Sequence, residues 1–347
     1  MRRVLVTGGC GFIGSNFIRV LLQEEPEAEV INLDLLTYAG NPKNLADLED
    51  SSRYRFVRGD VRDEALAEEL VGEVDWIVNF AAETHVDRST PAKAGEFIQT
   101  NVYGPYALAD ALRRTQRDAR FLQVGTDEVY GSVSAPTRAR EDAPLEPSSP
   151  YSASKAGGDL VALGFHRMLG MDVLVSRSTN NYGPYQYPEK LIPLAIQKAL
   201  AREPIPIYGT GGNVRDWIYV EDHVLGLLAA WEHGEVGESY NIGARSQTTN
   251  LDLISEVCSI LDELAPSEAV GEYSSLITFV EDRPGHDWRY AIDPTKAEGA
   301  LDWSPNESLS SGLRKTVQWY LENREWCRGV TEKVYAGQRL GLKTERP

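Results

Sequence analysis

The sequence predicts an α/β fold, a doubly wound parallel sheet with a smaller C-terminal lobe. Short β-branched runs alternate with helical periodicity through the first half of the chain. A glycine-rich stretch directly follows the first run and opens the first helix. After Asn180 the texture changes, as Pro184, Pro188, Pro193, Pro204 and Pro206 break regularity. Such alternation indicates a parallel sheet with helices on both faces, and the proline-broken remainder reads as a lobe closing over the sheet's carboxyl edge.

The strands are expected at residues 4–7, 30–34, 55–59, 76–80, 121–124 and 173–177, each a short apolar run rich in Val, Ile or Phe. Helices are expected at about 12–23 and 97–114, and from Tyr151 to about residue 169. No internal repeat or low-complexity tract is present. From about Thr331 the chain is polar and reads as a loosely held tail.

Gly9-x-Gly11-x-x-Gly14 follows the first strand, and Gly8 adds a second frame of glycines three apart. Without Cβ atoms these residues permit a tight turn and let a pyrophosphate approach a helix amino end, where free N–H groups favour anions. Gly8, Gly11, Phe12, Ile13 and Gly14 are therefore expected to hold a dinucleotide, which makes the fold Rossmann-type. Asp34 ends the second strand twenty residues after Gly14. A carboxylate there accepts both ribose hydroxyls and repels a 2′-phosphate, which selects NAD over NADP. Asp60 and Val61, after the third strand, should border the adenine, unless Asp60 is a turn residue. The expected division is an NAD-binding domain over 1–180, to which about 216–245 returns, a nucleotide-binding lobe from 181–215 and 246–328, and a tail at 329–347.

Tyr151 and Lys155 stand four apart on a helix and project from one face, so an ammonium can favour a phenolate able to take an alcohol proton as hydride leaves. Thr126-Asp127-Glu128 follows a strand that should end at the sheet's carboxyl edge. The carboxyl pair supplies what elimination of water needs, a base for a carbon acid and an acid for a hydroxide leaving group.

The formal net charge of −17 argues against a nucleic-acid partner, and an anionic substrate would need local arginines. Cys10, Cys258 and Cys327 lack CxxC spacing and fit reduced thiols in a cytoplasmic protein. Arg2-Arg3 precedes an apolar run that stops at Thr7-Gly8-Gly9, so no export signal is expected. No stretch approaches the ~20 apolar residues of a membrane span. His166, His223 and His233 show no ligand spacing, and no metal is expected.

Thr7-Gly8-Gly9-Cys10-Gly11-Phe12-Ile13-Gly14, Tyr151-x-x-x-Lys155 and Asn180-Asn181-Tyr182-Gly183-Pro184 resemble the extended short-chain dehydrogenase/reductase superfamily acting on nucleotide sugars. Thr126-Asp127-Glu128-Val129-Tyr130-Gly131 and Pro188-Glu189-Lys190-Leu191-Ile192-Pro193 are most similar to its dTDP-glucose 4,6-dehydratases. The likeness runs from Arg2 to about Trp326. Cys10 stands where alanine is expected and Gly125 where serine is usual; neither position carries a group that the expected chemistry uses.

The resemblance implies a cycle in three steps on dTDP-glucose. Tyr151 removes the C4 hydroxyl proton as hydride passes to NAD, with Thr126 hydrogen-bonded to the same oxygen. Glu128 takes the C5 proton and a protonated Asp127 releases the C6 hydroxyl as water. Hydride then returns to C6. The resemblance also places cofactor and sugar contacts at Ala81, Ala82, Thr84 and His85, with Asn180 on the substrate and Asn181 on the cofactor side. Arg215 and Arg283 are implied at the diphosphate, where guanidinium forks suit phosphate oxygens, although either could be a structural ion pair. Glu189 and Lys190 are implied near the sugar nucleotide, and Asn250, His286 and Tyr290 around phosphates and ribose. Tyr208 offers an aromatic face for the base or joins the lobe core. The family implies a homodimer through helices at about 92–114 and 149–169.

A 4-epimerase or decarboxylase would share NAD and the Tyr–Lys pair but have no work for Asp127. A GDP-mannose dehydratase carries a small hydroxyl residue at the Asp position, and a CDP-glucose dehydratase is a further alternative. An NAD-binding scaffold protein could dispense with Thr126, Asp127, Glu128, Tyr151 and Lys155, yet all five are present.

Overall fold

Seven parallel strands form the central sheet of the computed structural model, which describes residues 2–84, 88–89, 93–282 and 286–334, with side chains through Val330. They are β1 (Arg2–Thr7), β2 (Ala28–Asp34), β3 (Tyr54–Arg58), β4 (Trp76–Asn79), β5 (Arg120–Thr126), β6 (Val173–Ser178) and β10 (Ser239–Ile242). Their order is β10-β6-β5-β4-β1-β2-β3, with every neighbouring pair parallel. The winding reverses between β1 and β4, and in open α/β sheets a crevice forms outside the carboxyl ends at that point.

Strand pleat explains the two layers of helices. Val4 and Val6 pack on one face with Phe17, Ile18 and Leu21 of α1 (Phe12–Glu24) and with Leu227 and Trp231 of α7 (Val220–His233). Leu5 points to the other face, against Leu70 of α2 (Glu64–Val71), Leu108 and Leu112 of α4 (Gly104–Thr115), and Ala162 of α5 (Pro150–Leu169). With both faces covered, the strands need continuous apolar runs rather than alternation. The α3 helix (Ala94–Ile98) continues through a π-type turn into α4.

The helix carrying Tyr151 has a strong start. The Ser149 and Ser152 side chains cap each other's backbone N–H groups at 3.1 and 3.0 Å, and Pro150 occupies the first helical turn. Gly170, at φ +70°, ends it.

The remainder builds on a second core. Strands β7 (Asn180–Tyr182), β9 (Val214–Tyr219) and β11 (Gln247–Thr249) form a three-stranded sheet in the order β11-β9-β7, and β8 (Ile205–Tyr208) pairs with β12 (Ile277–Val280). Helices α6 (Leu191–Ala201), α8 (Asn250–Leu264) and α10 (Leu309–Glu322) bury Ile196, Leu253, Val257, Leu313 and Val317 in this core, and α9 (Thr295–Ala300) packs beside β10.

Two features differ from the sequence reading. No element was expected between the third and fourth strands, where α2 forms under an Asp63 cap that accepts from Ala65 and Leu66 N–H at 3.1 Å each. The polar C-terminal stretch is helical as far as residue 334, in α11 (Arg324–Val334), because Cys327 and Val330 are buried against the lobe. Among the described residues no helix is long and apolar enough to cross a membrane.

Candidate active site

A cavity of about 990 Å³ opens at the carboxyl ends of the strands and runs from the glycine turn to the lobe. It brings together nearly all the residues selected from sequence.

Gly8, Gly11, Phe12, Ile13 and Gly14 line one end, beside Ala81 and Ala82. Gly8 has φ +69°, and a Cβ there would lie 2.7 Å from the Ala81 nitrogen. At Gly14 a Cβ would lie 2.5 Å from the Gly8 carbonyl oxygen. Only glycine lets α1 come this close to the turn, so the turn keeps the form a pyrophosphate requires. Asp34 faces the same space, its carboxylate accepting the N–H of Cys10 at 2.9 Å and of Leu36 at 2.8 Å. Burial raises its pKa against the pull of those two donors. These residues fit a dinucleotide whose ribose meets Asp34.

Asp60 and Val61 also line the cavity. The Asp60 carboxylate is taken up by Arg62, whose Nε lies 2.9 Å from both oxygens, and this hydrogen bonding holds its pKa below the usual value. Arg62 is thus a cation on the wall that the sequence reading passed over.

At the centre, β5 ends at Thr126 and Asp127–Tyr130 forms a single 3-10 turn. The Thr126 hydroxyl oxygen accepts from the Glu128 N–H at 3.3 Å, which turns both carboxyl groups into the cavity. Asp127 is 3% exposed, and its Oδ2 has no hydrogen-bond partner among the described residues. Burial, then the charges of Glu128 and Asp216, raise its pKa well above the usual carboxylate range. This environment favours the protonated carboxyl.

Tyr151 and Lys155 line the cavity beside this turn. Burial, then Glu128 and Asp127, push the Tyr151 phenol well up, opposed by a hydrogen bond with Thr126. The expected ammonium–phenol pairing takes a different form. Lys155 Nζ donates to the Val124 carbonyl at 2.6 Å, and no hydrogen bond joins it to Tyr151 among the described residues. The reason is local: the lysine reaches down to a carbonyl at the end of β5. Burial lowers its pKa and Asp159 opposes that. Beneath it, Asp159 pairs with Arg177 at 3.0 Å, and Arg177 donates to Tyr130 Oη at 2.8 Å. This layer accounts for Gly125: a Cβ there would sit 2.6 Å from the Ser176 carbonyl oxygen and 3.0 Å from both Asp159 oxygens.

Thr84, Asn180, Asn181, Glu189, Lys190, Tyr208, Arg215, Asn250 and His286 line the remaining wall. Asn180 Oδ1 is buried without a partner among the described residues. Asn181 lines the cavity while its amide is also engaged inside the protein. Its Nδ2 donates to Ser178 Oγ at 3.2 Å and the Thr179 carbonyl at 3.0 Å, and its Oδ1 meets His223 Nδ1 at 2.8 Å. Because Asn181 Oδ1 can only accept, His223 Nδ1 is the donor, and burial pushes the pKa of this ring down to about 3. Glu189 pairs through Oε2 with Arg88 at 2.6 Å. Arg215 donates to the carbonyl oxygens of Val214 at 2.8 Å and Asp287 at 2.9 Å, over the Tyr290 ring at 4.3 Å. Tyr290 itself stands behind Arg215, off the wall, with its hydroxyl on Asp287 at 2.6 Å. His85 and Arg283 lie outside the described residues.

Tyr38 was also passed over. It lines the cavity with its hydroxyl on the Thr84 carbonyl at 3.1 Å, under the Arg88 guanidinium at 3.8 Å. Its position four residues after Asp34, in the loop leaving a strand's carboxyl end, was the available signal. Among the described residues no group of three His, Cys, Asp or Glu side chains is arranged to hold a metal.

Fold and site define a class: a dinucleotide-binding α/β protein with a Tyr–Lys pair and an acid–carboxylate couple on one cavity. The family model described as GDP-mannose 4,6 dehydratase matches residues 5–316. A probable dTDP-glucose 4,6-dehydratase of Sinorhizobium fredii is 48% identical over 98% of this chain and 99% of its own. The dTDP-glucose 4,6-dehydratase of Streptomyces venezuelae, solved with NAD and TYD, is 47% identical with a TM-score of 0.88, covering 94% of this chain and 99% of that one. The Bacillus anthracis enzyme, solved with NAD, is 41% identical with a TM-score of 0.86 over 95% of this chain and 100% of that one. The chain belongs to the dTDP-glucose 4,6-dehydratase family.

Proposed function

We propose that this protein dehydrates dTDP-glucose to dTDP-4-keto-6-deoxyglucose with NAD bound throughout. The observation that carries the reading is Asp127, buried with its Oδ2 unpartnered among the described residues, beside Glu128 on the wall that also presents Tyr151, an environment that favours its protonated form. The glycine turn and Asp34 would hold NAD, which supplies a hydride acceptor at C4 and a donor at C6.

The protein's own residues move the protons. Tyr151 takes the C4 hydroxyl proton, with Thr126 hydrogen-bonded to it and to the sugar oxygen. Burial raises the phenol's pKa in the protein alone; the Lys155 ammonium, together with the positive nicotinamide of bound NAD, would favour the phenolate that accepts this proton, and Lys155 also braces the end of β5. Glu128 removes the C5 proton, acidified by the adjacent ketone. Asp127 gives its proton to the C6 hydroxyl, which leaves as water. An epimerase would leave Asp127 without a task.

We further propose that the main sheet with α7 and β10 holds the cofactor, and that the lobe holds the nucleotide-sugar. The return to the large sheet is then assigned to Val220, since β9 pairs with β7 and β11. Asn180, Glu189, Lys190, Asn250, His286 and Arg215 support the sugar nucleotide as wall residues, with Tyr290 acting through Arg215. Ile98 on α3 and Leu160 and Met168 on α5, exposed by 53%, 50% and 84%, support a homodimer through these helices. Three buried free cysteines support a cytoplasmic setting.

The test is to incubate the purified protein with dTDP-glucose, UDP-glucose, CDP-glucose and GDP-mannose separately. Conversion of dTDP-glucose in preference to the others, to a 4-keto-6-deoxy sugar, is the expected result; a C4 epimer as product overturns it.

A further inference from the structure

The C-terminal helix α11 touches the dinucleotide end of the cavity by two routes. The first is a chain of hydrogen bonds. Trp326 Nε1 donates to Asn44 Oδ1 at 2.8 Å, and Asn44 Nδ2 donates to the Cys10 carbonyl at 3.0 Å. The Cys10 N–H in turn donates to Asp34 Oδ2 at 2.9 Å. Asn44 is 1% exposed, and with a donor on its Oδ1 and an acceptor on its Nδ2 its side-chain amide satisfies both partners in one orientation. Cys10 lies within the glycine turn, and its main chain is thereby fixed from both sides: the carbonyl by the 41–44 segment, the N–H by Asp34.

The second route is apolar. Val330 and Trp326 pack with Tyr187, Tyr38, Ala39 and Leu194. The last four of these line the cavity, so α11 backs its wall from outside. Trp326 is held in turn by edge contacts with Trp319 at 5.2 Å and Tyr185 at 5.8 Å.

We propose that α11 is a clamp on the cofactor site, with Trp326 as a positioning residue that sets the glycine turn and Asp34 through Asn44 and Cys10. The proposal rests on the reading of this end as the NAD site. A reaction in which the hydride leaves and returns needs the carrier to stay bound through the whole cycle, and a helix outside the pocket that braces both the turn and the wall slows its escape. Trp326 does not line the cavity and acts through other residues.

The experiment compares the full-length chain with Trp326→Phe and with Asn44→Asp. The phenylalanine keeps an aromatic ring in the cluster but cannot donate to Asn44. The aspartate still accepts from Trp326 but replaces the donor facing the Cys10 carbonyl with an acceptor. NAD retained after gel filtration and the NAD dissociation constant are measured, with thermal unfolding to establish that each variant is folded. A dissociation constant raised about tenfold, the change one buried hydrogen bond commands, is expected for either folded variant. Turnover lost in NAD-free buffer should then be recovered by added NAD. A folded variant that retains NAD as wild type does overturns the clamp alone. Wild-type protein that does not bind NAD overturns both the clamp and the reading beneath it.

Discussion

Lys155 Nζ donates to the main-chain oxygen of Val124 at 2.6 Å, tying α5 to the end of β5 two residues before Thr126. The bond holds the helix that presents Tyr151 against the strand that presents Asp127 and Glu128. Lys155→Met removes the shorter of two side-chain donors to the Val124 carbonyl, leaving it the 3.4 Å bond from Gln123 Nε2, and deprives Asp159 of a nearby positive charge. A loss of about 1–3 kcal/mol of stability is expected by urea denaturation, with kcat reduced. A variant with unchanged stability would show that the bond does not fix the two elements.

Tyr151→Phe and Asp127→Asn should fail at different stages. The first removes the group that takes the C4 proton, and single-turnover absorbance should show no reduced nicotinamide. The second keeps the geometry but has no carboxyl proton to give, so reduced nicotinamide should form and persist while water loss slows by about 10²-fold or more. Dehydration at the wild-type rate in Asp127→Asn would remove the acid from the account.

The same carboxyl group should be visible in stability. Its folded-state pKa lies above the ordinary 3.8, so the native state holds a proton the unfolded chain releases. Stability from this group is complete below its unfolded pKa and is lost as pH rises through the folded one. Asparagine does not ionise. Denaturation from about pH 4 to pH 8 should therefore show Asp127→Asn gaining on wild type as pH rises. A difference independent of pH would mean that Asp127 is not held protonated.

Leu160 is half exposed on α5, four residues before Gly164 and facing outward, with Ile98 likewise exposed on α3. Leu160→Glu places a charge at the centre of the proposed helix-to-helix face. Light scattering should report a dimer for wild type and a monomer for the variant. A wild-type monomer at all concentrations would reject the homodimer.

Much of this was legible in the sequence because it depends on short-range pattern. The strands and the glycine turn follow from apolar runs and residues three apart, and the cavity gathers what those motifs selected. What escaped depended on distant partners. The hold of His223 of α7 on the Asn181 amide, at 2.8 Å, joins residues 42 apart in the chain. The choice Lys155 makes between a phenol and a carbonyl is set by where β5 ends, which spacing on a helix does not reveal. Helix α2 was missed because it is two turns long and rests on one cap.

The central claim is that one bound carrier moves hydride from C4 to C6 while Asp127 and Glu128 expel water between the two transfers. The direct measurement is turnover of dTDP-glucose deuterated at C4, with the label located in the product by NMR and mass spectrometry. The account requires deuterium at C6 of dTDP-4-keto-6-deoxyglucose. Deuterium retained at C4 of an epimer, or lost to solvent with no label at C6, would contradict it.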